Sequence, residues 1–412
     1  MKIIFTIVFT TLVSYASAQR CGTSDYQKNH PVNQFTVQKN ISAKTESRDT
    51  LKDEIIIIPV VVHVLYNTRD QNISDAQVIS QIDVLNKDYR RKNADAINTP
   101  APFKQVAADA RIQFCLAKVD PQGQYTTGII HKLTKELQFL PNDGVKFSST
   151  GGDDAWDATK YLNLWVCNLA TTDSTEQTLG YSVLPGSPLE RDGVVIKYNV
   201  FGTIGNVMAP YNRGRTATHE IGHWLGLKHL WGDGNCGDDG IADTPPQQTS
   251  NSYCPSFPHI SACSINSYGD MFMDFMDFTD DGCMNMFTEG QKAEMRSLFA
   301  LGNVRNSFLN SMVCDSTNAE GGPLPKDSSS FLKIIVYPNP FNQVLNIASN
   351  RDSGFVGKVF KIYSISGKLC LTQTILSQKT ILNVSNLPSG IYVLKIEGKN
   401  DKQVYKLIKV GY

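Results

Sequence analysis

Residues 219 to 229 read His-Glu-Ile-Gly-His-Trp-Leu-Gly-Leu-Lys-His. His219 and His223 stand four apart, so on a helix both imidazoles project from one face and reach one metal ion. Glu220 lies beside them, where its carboxylate can take a proton from a water polarised by that metal. Gly226 tolerates left-handed backbone angles, so the helix has a natural end there, and the turned chain brings His229 back as a third ligand. Three neutral nitrogens with one open position make a catalytic zinc arrangement rather than a closed structural one. A His and Glu pair on an amphipathic helix is often mere surface. Three His, a Glu and a Gly at these spacings, in a chain with only seven His, are hard to read that way.

The elements that must hold these side chains are legible around them. Ile55 to Leu65 is a β-branched run with the pattern of a buried strand, and Asp75 to Arg90 carries apolar residues at helical spacing. Arg111 to Val119, Tyr161 to Leu169 and Gly193 to Tyr198 read as further strands, and Thr216 to Leu227 as the helix bearing the histidines. This is an α/β (α+β) core with a twisted sheet. From Trp231 to Cys283 the chain is rich in Gly, Asp, Ser, Pro and Cys, too irregular for regular elements and therefore held by disulfides or ions. Phe287 to Leu309 returns to helical patterning. Ser316 to Ser330 has linker composition, and Ile334 to Val410 is a series of short alternating runs that predicts a small all-β sandwich.

The chain has 412 residues, 41% hydrophobic, with 39 basic against 39 acidic side chains, which predicts two or three domains and gives no support to a nucleic-acid partner. Lys2, the apolar run Ile3 to Val13 and Ala16-Ser17-Ala18 read as a signal peptide over 1–18, and no later segment is long enough to span a membrane. Export makes disulfides permissible for the nine cysteines, and an odd number leaves at least one thiol over. The polar segment 19–53 reads as a propeptide or loose arm. Asp238, Asp239, Asp243 and Thr244 offer hard oxygen ligands in a Gly-rich loop, suited to Ca²⁺ or to a solvated acidic turn.

The histidine spacing is the metzincin pattern, which also calls for a methionine-bearing turn beneath the ligands. Met276 in Asp274-Phe275-Met276-Asp277-Phe278 is the candidate, with Met273 a near duplicate. The segments RGRTATHEIGHWLGLKHLWGD (213 to 233), GDDGIADTP (237 to 245) and DFMDFTDDGCMNMFTEGQ (274 to 291) resemble the pappalysin branch of the metzincins, the M43 peptidases. The resemblance implies zinc on His219, His223 and His229, Glu220 as general base, Met276 in the Met-turn, calcium in the acidic loop, and disulfides Cys236–Cys263 and Cys254–Cys283. Family members usually carry Tyr two residues after the Met-turn methionine, where this chain has Phe278. Arg20-Cys21-Gly22-Thr23 is similar to the cysteine-switch start of relatives: a thiolate at the open position displaces the catalytic water. VYPNPFNQVLNI (336 to 347), ISGKLC (365 to 370), LPSGIYVLKI (387 to 396) and KLIKV (406 to 410) resemble the type IX secretion sorting domain.

The expected organisation is therefore signal peptide 1–18, propeptide 19–53, catalytic domain 54–314, linker 315–331 and sorting domain 332–412. The expected protein is a secreted, latent zinc endopeptidase acting on proteins or peptides, a monomer delivered by the type IX machinery to the cell surface or medium. Asp280 and Asp281, between the Met-turn and Cys283, are expected to line the S1′ pocket and favour a basic residue there. The reading from another class is an adhesive or matrix-binding protein with a weakened zinc site, which Phe278 alone favours.

Overall fold

The computed structural model describes residues 20–31, 54–170, 178–265, 267–315, 334–337, 339–349, 356–375, 379–398 and 401–410. The expected signal peptide, most of the expected propeptide and nearly all of the expected linker lie outside them. The chain divides into two compact units, Met1–Pro323 and Leu324–Tyr412.

In the first unit the apolar run becomes strand β1, Ile56–Tyr66, and nine of its eleven residues are buried. It is central: β2 (Ile112–Leu116) and β3 (Ile129–Leu133) pair parallel with its two halves, and β4 (Leu162–Cys167) pairs parallel along its other edge. Strand β6 (Val194–Lys197) continues the sheet parallel to β4, and the three-residue β5 (Gly180–Ser182) closes it antiparallel at the edge. Both faces of β1 are covered, which is why the run is continuously apolar rather than alternating. Val60, Val62 and Val64 pack in the main core with Ile82, Leu85, Ala217 and Trp224, while Leu65 packs on the other face with Trp165, Tyr181 and Val195.

Helix α2, Asp75–Asp88, begins where the Ser74 side chain accepts from the Gln77 N–H. It lies beside α3, Arg215–Trp224, which carries the histidine pair and is buried at every residue. The two are bolted together by polar groups: Asp88 Oδ2 accepts from Thr218 Oγ1 at 2.7 Å and forms an ion pair with Arg215, whose Nε lies 3.1 Å away, and Tyr89 donates its hydroxyl to the Thr218 carbonyl. The helix ends earlier than the spacing predicts, at Trp224 rather than Leu227. The Gly226 N–H bonds the His223 carbonyl and the Leu227 N–H reaches back to Gly222, with Gly226 at φ +91°, a closed C-terminal motif that only a left-handed residue completes.

Helical patterning after Phe287 yields only α4, Glu289–Ser297, opened by a Thr288–Gln291 capping box, and a single 3₁₀ turn over Asn306–Asn310. Three elements of the first unit are not expected from the hydrophobic pattern: strand β3, edge strand β5, and helix α1, Thr23–Asn29, inside the segment expected to be a propeptide or loose arm. From 231 to 283 the described residues form neither helix nor strand, and Cys236–Cys263 and Cys254–Cys283 are joined as disulfides there. Cys115–Cys314 joins β2 to the end of the unit, and Cys21, Cys167 and Cys370 are free thiols.

The second unit is all β. Strands β7 (Ile334–Tyr337), β8 (Val344–Ser349) and β11 (Lys379–Asn383) form one antiparallel sheet. Strands β9 (Val359–Ser364), β10 (Leu369–Thr374), β12 (Gly390–Gly398) and β13 (Asp401–Lys409) form the other, around a core that includes Leu345, Ile347, Phe360, Ile362 and Leu394. No described helix is long and apolar enough to cross a membrane.

The far end of α3 is anchored by a buried charge cluster. Asp192, just before β6, accepts from Trp224 Nε1 at 2.6 Å and from both terminal nitrogens of Arg305, whose guanidinium lies 3.7 Å over the Trp224 ring. Removing one partner strands the other charge away from water, so Asp192→Ala should lower the stability of the first unit by about 3–5 kcal/mol, read as the denaturant midpoint. A change below about 0.5 kcal/mol would mean that the cluster does not hold the helix.

Candidate metal centre and active site

On α3 the i, i+4 spacing sets the His219 and His223 rings side by side, and the turn at Gly226 returns His229 to them. Their Nε2 atoms lie 3.1 Å (His219–His223), 3.0 Å (His223–His229) and 3.2 Å (His219–His229) apart. Bonds of about 2.0–2.1 Å from zinc to nitrogen at tetrahedral angles place nitrogens roughly 3.3 Å apart, so this triangle is close to one face of a zinc tetrahedron. Each ring is oriented through its other nitrogen. Nδ1 of His219 meets the Phe275 carbonyl at 2.7 Å, Nδ1 of His223 meets the Leu227 carbonyl at 2.8 Å, and Nδ1 of His229 bonds the Asp233 carboxylate. A proton on Nδ1 leaves the Nε2 lone pair free to bind a metal. Burial lowers the basicity of His219 and His223, the latter to about 3, with neighbouring imidazoles adding to the effect, so both rings are neutral. Cys21 completes the set: its Sγ and the three ring nitrogens all lie within 4.8 Å of one another, and all four residues are buried.

Glu220, on the same helix, is wholly buried. Burial pushes its carboxyl up to about 8, opposed by hydrogen bonds from Cys21 and Thr23. Its Oε2 accepts from Thr23 Oγ1 at 2.8 Å, and Thr23 Oγ1 in turn accepts from the Ser182 N–H of β5 at 2.8 Å. Burial, then the charge of Glu220, raises the Cys21 thiol well above its ordinary range.

Beneath the rings, the segment holding Met276 is fixed by Asp274, which accepts from the Met276 N–H at 2.8 Å and from Gln291 Nε2 at 2.9 Å. Asp277 accepts from the Asn251 N–H and side chain and from Gln247. Met276 packs in the main core against α3, whereas Met273 belongs to a separate cluster with Phe103 and Met286. The Phe278 ring stands edge-on to His229 at 4.8 Å between centroids and 5.7 Å from His219.

Residues 20–31 occupy the cleft. Cys21 pairs with Gly180 of β5 in a parallel bridge, and the Gly22 N–H donates to the Gly180 carbonyl at 2.8 Å. Arg20 is fully buried: Nη2 lies 2.6 Å from Asp281 Oδ1, Nη1 donates to the Thr279 carbonyl, and the guanidinium lies over the Tyr211 ring. Asp281 Oδ2 accepts from the Arg213 and Arg215 N–H groups, so this carboxylate also positions the start of α3. Asp280 is half-buried, and burial raises its carboxyl against the pull of Arg20.

The acidic loop is engaged within the protein. Asp239 accepts from Thr244 Oγ1 and the Ile241 N–H, Asp243 from Thr288 Oγ1 and the Gly290 N–H, and Asp238 from the Gly240 N–H. Burial, with a further contribution from Asp238, pushes the Asp239 carboxyl up to about 6.

Residues 148–300 match the family model described as pregnancy-associated plasma protein-A (peptidase M43), and residues 335–410 match the secretion system C-terminal sorting domain. An extracellular metalloprotease of Arthroderma benhamiae is 31% identical over 301 residues, 70% of this chain and 94% of that one. Mature mirolysin of Tannerella forsythia, solved with a cleaved peptide, is 50% identical, with a TM-score of 0.60 over 62% of this chain and 96% of its own. A promirolysin mutant of the same organism is 45% identical, with a TM-score of 0.64 over 71% and 97%.

Gly222 is a residue whose role the sequence reading missed. A Cβ at this position would lie 2.5 Å from Met276 Sδ, so the sulfur sits where any side chain would. Gly222→Ala should cost about 1–3 kcal/mol and lower zinc retention, and the cost should largely vanish in a Met276→Ala background. An equal cost in both backgrounds would show that the sulfur contact is not what excludes a side chain there.

Proposed function

We propose residue roles from one premise: this chain belongs to the M43 family of zinc metalloendopeptidases, exported with a type IX sorting domain to the cell surface or extracellular space. His219, His223 and His229 are the protein ligands of the zinc, and the observation that carries the assignment is the triangle of Nε2 atoms with every Nδ1 already engaged. Zinc bound there supplies a Lewis acid for the scissile carbonyl and the attacking water. Glu220 takes the proton from that water as its oxygen bonds the carbonyl carbon, then passes it to the amine as the C–N bond breaks. Met276 is the Met-turn residue supporting the ligands from below. Phe278 stands where relatives use a phenol, so this chain stabilises the oxyanion without that donor, which typically costs about 10²–10³ in rate. It is the single feature that favours the second reading, a binding protein with a weakened site.

We assign residues 19–53 as the propeptide and Cys21 as the fourth ligand of the latent form. Thr23 supports this by holding the Glu220 carboxylate, which blocks the base as well as the metal. Activation cuts between Cys21 and Ile55, and loss of the segment frees the edge of β5 for substrate. The protein so described is a monomer acting on protein or peptide substrates. We also assign a structural Ca²⁺ to Asp238, Asp239, Asp243 and Thr244, three carboxylates and a hydroxyl within seven residues; melting zinc-loaded protein with and without calcium tests it, and an unchanged Tm excludes it.

Asp281 is the specificity group. Arg20 in contact with it supports a preference for Arg or Lys after the scissile bond, because the latent form already fills that position with a basic side chain. Asp281→Asn, which retains acceptors for the α3 backbone, should reduce discrimination for basic P1′ residues by about 10–100-fold in kcat/KM. An unaltered cleavage profile would remove this role.

The deciding experiment follows hydrolysis of a peptide library by the propeptide-free protein. Glu220→Ala should abolish cleavage with zinc still bound, and Cys21→Ala should make the uncut zymogen active. Cleavage surviving Glu220→Ala would overturn the mechanism, and unchanged latency in Cys21→Ala would overturn the switch.

A further inference from the structure

Helix α1 reaches a second site on the catalytic unit. Tyr26 is 3% exposed, its ring stacks on Tyr181 at 5.1 Å, and its hydroxyl donates to Asp143 Oδ2 at 2.6 Å. The floor of the site is Lys146, wholly buried, with Nζ 2.7 Å from Asp143 Oδ1, 2.9 Å from the Arg191 carbonyl, and 5.3 Å from the centroid of the Tyr26 ring. A buried Lys–Asp pair is costly to desolvate and is weak evidence for stability. Here the cation already faces the rings of Tyr181 at 5.0 Å and Trp165 at 5.5 Å, and Tyr26 adds a further aromatic face together with a phenol for the Asp143 carboxylate. Tyr181 lies on β5, the strand that Cys21 and Gly22 pair with, so a peptide laid along that edge passes the mouth of the site. Arg20 and Tyr26 flank Cys21 in sequence, and their side chains enter separate pockets of the unit.

We propose that the pocket holding Tyr26 is a substrate subsite of the mature protease, selective for an aromatic and best for a phenolic side chain. It lies on the non-primed side, opposite the Asp281 pocket. The inference rests on the reading that residues 19–53 are removed and that Asp281 faces P1′. On this account the propeptide is held by mimicry at two subsites, with the thiol between them. Substrates that carry both a basic P1′ residue and an aromatic residue upstream exploit the same two pockets.

The test has two arms on the zinc-loaded, propeptide-free protein. In the first, fluorescence polarisation compares a labelled peptide copying residues 22–31 with its Tyr26→Ala form. In the second, substrates with Arg fixed at P1′ carry Tyr, Phe or Ala at each of the P2 to P5 positions. The Ala peptide should bind about tenfold more weakly or worse, and one upstream position should favour Tyr over Ala by about tenfold in kcat/KM, expressed in KM. Asp143→Asn combined with Lys146→Met removes both charges together, and Asn keeps the left-handed φ of +68° at position 143. This variant should lose both preferences while keeping the preference for Arg over Ala at P1′. Equal binding of the two peptides, or no aromatic preference upstream while the Arg preference persists, overturns the proposal. If nothing is hydrolysed, the enzymatic reading fails and the polarisation arm alone decides the pocket.

Discussion

Three imidazole nitrogens held 3.0–3.2 Å apart with their lone pairs converging repel one another unless a cation lies between them. Most of the first unit can be understood as the apparatus that enforces this arrangement. The parallel sheet and α2 fix the near side of α3 through Asp88, and the Asp192–Arg305 pair fixes its far end. The Schellman-type turn at Gly226 aims the chain so that Leu227 orients His223 and His229 returns. The segment holding Met276 contributes the Phe275 carbonyl that orients His219 and the sulfur that lies against Gly222. Each imidazole is therefore oriented by a different element, and the proposed zinc position is where the elements meet.

The irregular stretch between Trp231 and Cys283 contributes by enclosure rather than by secondary structure. Its disulfides and the Asp277 network with Gln247 and Asn251 fix backbone whose described residues make no strand, only the isolated bridge of Asp274 to Met286. Asp281 belongs to that scaffold and to the cleft at once, since one oxygen holds the start of α3 and the other holds Arg20. A substrate side chain recognised there is thus read by a group whose position the active-site helix already requires.

The proposed site could be read in the sequence because its densest part lies on one short helix and the turn that follows it. The spacing of His219, Glu220 and His223 is a property of 3.6 residues per turn, and Gly226 marks the left-handed turn that returns His229 beyond the helix end. The 11-residue apolar run of β1 was equally plain. Strand β5 was not, because three residues cannot display a period, and they form a strand only through pairing with β6. Helix α1 is seven residues of mostly polar sequence whose order comes from contacts made by Tyr26, Thr23 and the preceding Arg20 and Cys21. The only available signal was one aromatic residue beside an Arg-Cys-Gly-Thr start. The extended helical pattern after Phe287 misled for a related reason: apolar spacing continues, but beyond Ser297 the chain breaks into turns that pack Phe299 and Phe308 beneath Trp224.

The central claim is that His219, His223, His229 and Cys21 share one zinc ion in the latent protein. Zinc-edge X-ray absorption of the intact zymogen tests it directly. The account predicts three nitrogen neighbours at about 2.0–2.1 Å and one sulfur at about 2.3 Å, with the sulfur lost when the propeptide is removed. A zinc environment without sulfur in the zymogen, or one unchanged by propeptide removal, would contradict it.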